Sequence, residues 1–261
     1  MNRPVTLPPP ETRTAVAGGP FASLPPRDRI IVALDVSTAG EARKLVSTLA
    51  DVVSTFKIGK QLFTAEGPAI VRELVGAGHG VFLDLKFHDI PTTVGAAVRS
   101  AASLGVKMLT VHAAGGSAML RAAADAAAQS VARPTVLAVT VLTSFQENDL
   151  RETGVSGRVV DQALRLGALA LGNGCGGLVS SPREAAELRR ELGAGFALIT
   201  PGIRPAGSEA GDQARAATPT AAIQAGVTHL VVGRPITAAA DPSGAATQIL
   251  EELRAAIANR G

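Results

Sequence analysis

The sequence predicts an α/β protein that folds as a single (β/α)8 barrel of the TIM type behind a flexible N-terminal leader. Short apolar runs rich in β-branched residues alternate with alanine-rich segments of helical spacing, and there are eight such runs in 261 residues. Regular alternation of strand and helix implies parallel strands joined by right-handed crossovers. The alternative is an open doubly wound sheet, which usually contains fewer strands.

The strand candidates are short, apolar and spaced widely enough to leave room for a helix between them. In chain order they are residues 29–35, 52–59, 80–86, 108–113, 135–142, 176–180, 196–202 and 229–233. The clearest helix candidates are residues 39–50, 68–78, 91–105, 117–128, 181–192 and 247–260. This order gives one barrel domain, 29–261.

The leader, residues 1–28, is rich in Pro, Ala and Gly and has no compact apolar core of the signal-peptide type. We expect it to be flexible. No uninterrupted apolar run is long enough to span a bilayer, so neither secretion nor membrane insertion is indicated.

Composition indicates which class of ligand the protein binds and which cellular compartment it occupies. The net charge of +3 suits an anionic small molecule or a nucleic acid, but the chain has no Trp, no Tyr and scattered basic residues, which argues against nucleic acid. A single cysteine, Cys175, excludes an intrachain disulfide and is typical of a cytoplasmic protein. The four His are too dispersed to predict a zinc site.

Polar residues recur where the predicted strands end, which is where a barrel of this kind carries its functional groups. They are Asp35, Lys57, Asp84, Lys86, His112, Thr143, Ser144 and Arg234. We expect His88 and His112 to be structural rather than metal ligands.

The third strand ends in VFLDLKFHDIPTTV, residues 81–94, which contains the spacing Asp84-x-Lys86-x-x-Asp89. Side chains alternate along a strand, so Asp84 and Lys86 are predicted to share one side. As a surface ion pair they would contribute ~1 kcal/mol or less. Their place at the end of a central strand favours a catalytic site instead.

Lys57 ends the second strand and is predicted to lie beside these charges, giving an alternating array of lysines and aspartates. The alternative is a solvated lysine at a strand end. In the array, neighbouring carboxylates favour the ammonium form of Lys86, which suits a proton donor.

The loop after strand seven, residues 201–219, contains Arg204 and Gln213, and strand eight is followed by Gly233 and Arg234. Loops seven and eight commonly form the phosphate site of a barrel, so we expect a phosphate grip with a closing lid. An ordinary mobile loop is the alternative. Ser144 is interpreted as a contact to a polar ligand edge or as a helix cap, since no base stands beside it to activate a nucleophile.

The motifs ALD, FKIG, DLKFHDIPTTV, TVLTS, PGIRPAGSEAGDQAR and VVGRPIT resemble those of the orotidine 5'-phosphate decarboxylase family and occur in the same order, from Ile30 to about the end of the chain. The resemblance implies a dimeric enzyme that uses neither metal nor organic cofactor. By resemblance, Lys86 protonates the pyrimidine carbon that loses CO2, Asp84 faces the substrate carboxylate, and Asp35 and Lys57 contact the ribose. The remaining implied contacts are Ser144 and Pro201 at the pyrimidine, Gln213, Gly233 and Arg234 at the phosphate, and Asp89 and Thr93 in the neighbouring subunit's site.

The sequence leaves two alternative functions open. The sugar-phosphate branch of the same superfamily shares the Asp-x-Lys-x-x-Asp spacing but needs Mg2+, held in part by a carboxylate near the end of strand two. This chain has Lys57 there, and a lysine is not a ligand for Mg2+. The other rival is a barrel that binds a phosphorylated ligand without reacting, which would have no use for the charged array.

Overall fold

The structure, a computed structural model, describes residues 21, 23–205 and 217–259. Its sheet consists of eight parallel strands that pair in chain order, and the first strand also pairs with the eighth. The strands are β1 Ile30–Ala33, β2 Thr55–Gly59, β3 Gly80–Phe87, β4 Met108–His112, β5 Thr135–Val139, β6 Gly177–Val179, β7 Ala197–Thr200 and β8 His229–Val232. The (β/α)8 barrel is therefore confirmed, and the open sheet is wrong because this sheet closes.

The helices connect successive strands and surround the barrel. They are α1 Ala39–Leu49, α2 Lys60–Glu66, α3 Ala69–Gly76, α4 Pro91–Ala102, α5 Gly116–Ala128, α6 Glu147–Glu152, α7 Val159–Leu171, α8 Pro182–Leu192, α9 Pro219–Gln224, α10 Arg234–Thr237 and α11 Pro242–Ala258. None of these helices is both long and apolar enough to cross a membrane.

Local sequence sets where several helices begin. Thr38 caps α1 through a reciprocal pair of hydrogen bonds with Glu41, and Asp241 caps α11 by accepting a hydrogen bond from the backbone N–H of Gly244. Proline at the first helical position opens α4 and α8, where its missing N–H costs nothing.

Two apolar layers hold the barrel together. The inner layer fills the barrel itself with side chains from alternate strand positions: Ile31, Ala33, Phe82, Met108, Leu137, Ala197, Ile199 and Val231. The larger outer layer lies between the strands and the helices. Gly177 is required in β6 because a Cβ there would lie 2.5 Å from the carbonyl oxygen of Ala197.

The segment before β1 packs against the amino-terminal end of the barrel. Arg29 donates hydrogen bonds to the carbonyls of Phe21 and Leu24, at 2.8 and 3.1 Å. The Phe21 ring meets the buried ring of His229 edge-on, with 6.1 Å between centroids. Contacts with the barrel thus reach back past the predicted boundary at residue 28, while residues 1–20 lie outside the described part of the chain.

Candidate active site

A cavity of about 420 Å3 opens at the carboxyl ends of the strands, a volume within the usual range for small-molecule sites. Its floor is the top of the inner apolar layer, including Ala33, Phe82 and Val231. Eight of the residues that line it are site residues predicted from the sequence: Asp35, Lys57, Asp84, Lys86, Pro201, Arg204, Gly233 and Arg234. The structure therefore brings most of the predicted site residues into one cavity.

The end of β3 departs from regular strand geometry. Leu83 pairs with Leu109 and Phe87 pairs with Val111, so three residues of β3 lie opposite the single residue Thr110 of β4. Within this bulge Lys86 has φ +54°, in the left-handed region that costs a residue with a side chain roughly 1–2 kcal/mol. The bulge aims Lys86 at the cavity.

Four charged side chains form a continuous array across β1, β2 and β3. Lys86 Nζ lies 2.7 and 2.8 Å from the two carboxylate oxygens of Asp84. Lys57 Nζ lies 3.8 Å from the Asp84 carboxylate and 2.8 Å from that of Asp35. The order is Asp35, Lys57, Asp84, Lys86, so each inner charge has opposite charges on both sides.

Burial and charge pairing have opposite effects on the pKa of Asp84, whose side chain is 13% exposed. Burial alone would raise the pKa of this carboxyl group, but the ammonium groups of Lys86 and Lys57, with hydrogen bonds from Lys86 and Thr110, outweigh it and hold the pKa below its usual value. Asp84 is therefore an anion at neutral pH.

Gly59 makes room for the pairing of Lys57 with Asp35. A Cβ at this position would lie 3.0 Å from Lys57 Nζ and 3.2 Å from the Asp35 carboxylate. Both distances are tighter than ordinary contacts, so glycine at the end of β2 permits the close approach of the pair.

A second part of the cavity wall comes from the segments after β7 and β8. Pro201, Gly202 and Arg204 follow β7, and Gly233 precedes α10, which begins with Arg234. Two arginines, Arg204 and Arg234, therefore line the same cavity as the array. Gln213 lies outside the described residues.

Three predicted site residues lie on the surface outside the lining of this cavity. Asp89 and Thr93 are exposed around the start of α4, and the Asp89 carboxylate accepts a hydrogen bond from the backbone N–H of Ile90 at 2.6 Å. Ser144 is exposed in the segment before α6, whose N-cap is Gln146, while its neighbours Leu142 and Thr143 line the cavity.

The two histidines of this region pack against each other rather than against the array. The rings of His88 and His112 have centroids 5.4 Å apart. Burial, with the neighbouring His88 ring and the positive charges of Lys86 and Lys60, lowers the pKa of His112 below its usual value, so its ring is neutral at pH 7. Within the described ranges, no three His, Cys, Asp or Glu residues are grouped as they would be to hold a metal ion.

Thr110 was missed by sequence reasoning, although it is a polar residue in the middle of the apolar run of β4. It is fully buried, and its hydroxyl donates to Asp84 at 3.0 Å and accepts from the backbone N–H of Lys86 at 2.9 Å. Its place opposite the β3 bulge depends on pairing that the sequence does not reveal.

A closed (β/α)8 barrel with a charged cavity at the carboxyl ends of its strands is typical of an enzyme. Within this class, the chain belongs to the orotidine 5'-phosphate decarboxylase / HUMPS family, whose family model matches residues 28–249. The resemblance drawn from the motifs is therefore confirmed.

Named relatives cover nearly the whole barrel. The chain is 51% identical to the orotidine 5'-phosphate decarboxylase of Halorhodospira halophila, over 90% of this chain and 99% of that protein. It is 50% identical to the enzyme of that name from Sodalis glossinidius, over 93% of this chain and 97% of that one. The crystal structure of orotidine 5'-phosphate decarboxylase from Lactobacillus acidophilus superimposes with a TM-score of 0.76 at 38% identity, covering 87% of this chain and 99% of that one.

Proposed function

We propose that this protein decarboxylates orotidine 5'-phosphate to UMP and CO2, a step of pyrimidine biosynthesis. The observation that carries the proposal is the array of Asp35, Lys57, Asp84 and Lys86 at the mouth of the barrel. Its charges alternate around the position where an anionic substrate would react. Relatives at about half identity bear the name of this activity.

Lys86 is the proton donor in this mechanism. When the bond from C6 of the pyrimidine to the carboxylate breaks, CO2 leaves and the electron pair stays on C6. The Lys86 ammonium transfers one proton to that carbon, forming UMP and a neutral amine that recovers its proton from water. Hydrogen bonds at 2.7 and 2.8 Å to Asp84 hold the ammonium group in place before the reaction.

Electrostatics contribute the main stabilisation of the transition state. No cofactor is invoked to delocalise the carbanion, so fixed positive charge from Lys86 must offset the developing negative charge. Asp84 beside the substrate carboxylate would add a repulsion of about 4 kcal/mol at ~4 Å and an effective dielectric constant of ~20, which disappears as CO2 leaves. This ground-state effect is secondary to the stabilisation of the carbanion by Lys86.

Binding energy comes from contacts to the ribose, the pyrimidine and the phosphate, of which the phosphate contacts are remote from the reacting carbon. Asp35 and Lys57 are assigned to the ribose hydroxyls, Ser144 and Pro201 to the pyrimidine, and the remaining groups to the phosphate: Arg204, Gln213, Gly233 and Arg234. A guanidinium fork matches phosphate oxygens, and remote binding energy can offset repulsion at the reacting centre.

A homodimer is part of the proposal, with Asp89 and Thr93 completing the partner's site. Supporting this, Asp89 and Thr93 are exposed, and between them Ile90 is an apolar side chain that is 63% exposed. Residues 29–261 are proposed as the catalytic domain, and the single cysteine supports a cytoplasmic location.

The Mg2+-dependent sugar-phosphate reaction is disfavoured by the pairing of the array. Lys57 lies in the middle of β2, two residues before the strand end near which that branch carries a carboxylate, and its ammonium group contacts Asp35 and Asp84. A cation bound by these carboxylates would have to displace Lys57, so we propose a reaction without metal.

Decarboxylation of orotidine 5'-phosphate, followed by its ultraviolet absorbance change with and without EDTA, tests the proposal. Turnover that ignores EDTA is the expected result. Turnover that requires Mg2+ would favour the sugar-phosphate branch, and binding of UMP without turnover would favour a barrel that does not react.

A further inference from the structure

Thr110 stands where the backbone irregularity of β3 and the charged array meet. It is the single residue of β4 that faces the three residues Asp84, Leu85 and Lys86 of the bulge. Its side chain is 0% exposed, so it does not contact bulk water.

The direction of both Thr110 hydrogen bonds is fixed by chemistry. A backbone N–H can only donate, so the N–H of Lys86 at 2.9 Å makes the hydroxyl oxygen an acceptor. The single hydroxyl proton then points to the ionised carboxylate of Asp84 at 3.0 Å, which can only accept. Both capacities of the hydroxyl are used on the two residues that carry the chemistry.

These bonds compensate for two local costs. The bulge interrupts regular pairing between β3 and β4, and the Thr110 hydroxyl satisfies the N–H of Lys86 there. Lys86 is also held at φ +54°, a conformation that persists only when neighbouring contacts enforce it. One side chain thus supports the Lys86 backbone and orients the Asp84 carboxylate that binds the Lys86 ammonium.

We propose that Thr110 is a positioning residue of the decarboxylation, which fixes Asp84 and Lys86 relative to one another so that the ammonium group is aimed at the reacting carbon. The inference rests on the proposed function. Thr110 is not assigned any contact with the substrate.

The test compares variants that differ in the hydroxyl alone. Thr110→Val keeps the branched shape and removes both hydrogen bonds. We expect kcat to fall at least about tenfold while KM changes less than about threefold, because misplacing a catalytic group affects the chemical step and not the phosphate grip. Thr110→Ser, which keeps the hydroxyl, should restore kcat to within about threefold of wild type.

Thr228→Val is the matched control. Thr228 is also a buried threonine, and its hydroxyl exchanges two hydrogen bonds with the backbone of Leu198 at the opposite end of the barrel. It should lose stability and retain wild-type kcat. If Thr110→Val does not fold, Thr110→Ser and Thr110→Ala provide the same comparison, since both lack the methyl group and only Ser has the hydroxyl.

Titration of the Asp84 carboxyl 13C resonance separates this inference from the proposed function. Loss of the Thr110 hydrogen bond should raise the pKa of Asp84 in Thr110→Val, whether or not the enzyme acts on orotidine 5'-phosphate. An inactive wild type would overturn the proposed function alone. If the wild type is active, any one of three results would overturn the positioning role. These are a kcat of Thr110→Val within about twofold of the wild-type kcat, a kcat of Thr110→Ser as low as that of Thr110→Val, and an Asp84 pKa that does not change in Thr110→Val.

Discussion

At Asp84, neighbouring donors and positive charges compensate for the loss of hydration on burial. A carboxylate that is 13% exposed loses much of its hydration, yet it accepts hydrogen bonds from Lys86 and Thr110 and lies 3.8 Å from Lys57 Nζ. Removing one partner of such a group is more costly than the net contribution of the pair, because the remaining charge stays buried. We therefore expect substitutions within the array to affect stability as well as activity.

His229, at the opposite end of the barrel, makes protein stability depend on pH. Burial, with positive charge on Lys107 and Arg29, lowers its pKa from 6.5 to about 4. Between these values the unfolded chain binds a proton that the folded chain does not. Protonation of the unfolded chain therefore leaves the free energy of unfolding unaffected above about pH 6.5 and lowers it as the pH falls. At about pH 5 this loss is about 2 kcal/mol.

Urea denaturation near pH 7.5 and near pH 5 measures this effect. His229→Gln cannot titrate in this range, so its free energy of unfolding should fall less between the two pH values than that of the wild type. Equal losses in the two proteins would mean that another group causes the acid sensitivity.

Among the elements, the strands were predictable because each is a buried run in an alternating order. The structure confirms all eight, and six helix candidates are present as α1, α3, α4, α5, α8 and α11. The helices α2, α6, α9 and α10 contain four to seven residues, too few for an apolar period to stand out. The helix α7 has 13 residues and is absent from the six helix candidates.

The bulge in β3 shows where the sequence stops being sufficient. Strand alternation predicts that Asp84 and Lys86 share a side, and their side chains do meet. The left-handed backbone of Lys86 and the role of Thr110 follow from pairing between β3 and β4, which no local pattern records. Similarly, the positions of Asp89 and Thr93 on the surface could not be assigned without the fold.

The short helix α10 follows β8 directly. Gly233 is its N-cap, Arg234 is its first residue, Pro235 comes next, and Arg234 lines the cavity. We predict that Arg234→Ala lowers kcat/KM by at least about tenfold, mainly through KM, because a bidentate contact to phosphate is lost. Initial rates over a range of orotidine 5'-phosphate concentrations provide the measurement.

Arg254→Ala is the control for charge, since Arg254 is exposed on α11 and does not line the cavity. Its kinetics should match those of the wild type. An unchanged kcat/KM in Arg234→Ala would remove Arg234 from the phosphate site.

The two ends of the barrel differ in composition and in role. The carboxyl ends of the strands carry the charged cavity, while the amino ends are packed against the Phe21 and Arg29 segment. Changes at His229 should therefore act on stability alone, and changes in the array should act on turnover as well as on stability.

The proposed dimer predicts complementation between two inactive variants. In a mixed dimer of Lys86→Ala and Asp89→Ala subunits, the first supplies an intact Asp89 to the site of the second, which retains Lys86. Random exchange should recover roughly a quarter of wild-type activity, since half of the dimers are mixed and each has one intact site.

Mixing Lys86→Ala with Asp84→Ala is the matched control, because both residues belong to the site of their own subunit and no intact site can form. Exchange is checked by native mass spectrometry. Mixed dimers of Lys86→Ala and Asp89→Ala that form without recovering activity would place Asp89 outside the partner's site.

Lys86 as the proton donor is tested by comparing single-turnover decarboxylation and UMP binding in Lys86→Ala and in Lys107→Ala. Lys107 is exposed at the start of β4, at the other end of the barrel, and its variant should behave as wild type. For Lys86→Ala we predict a loss of at least about a thousandfold in the chemical step with UMP affinity kept within about threefold. If Lys86→Ala decarboxylates at more than about a tenth of the wild-type rate, Lys86 is not the proton donor, because another group then supplies the proton.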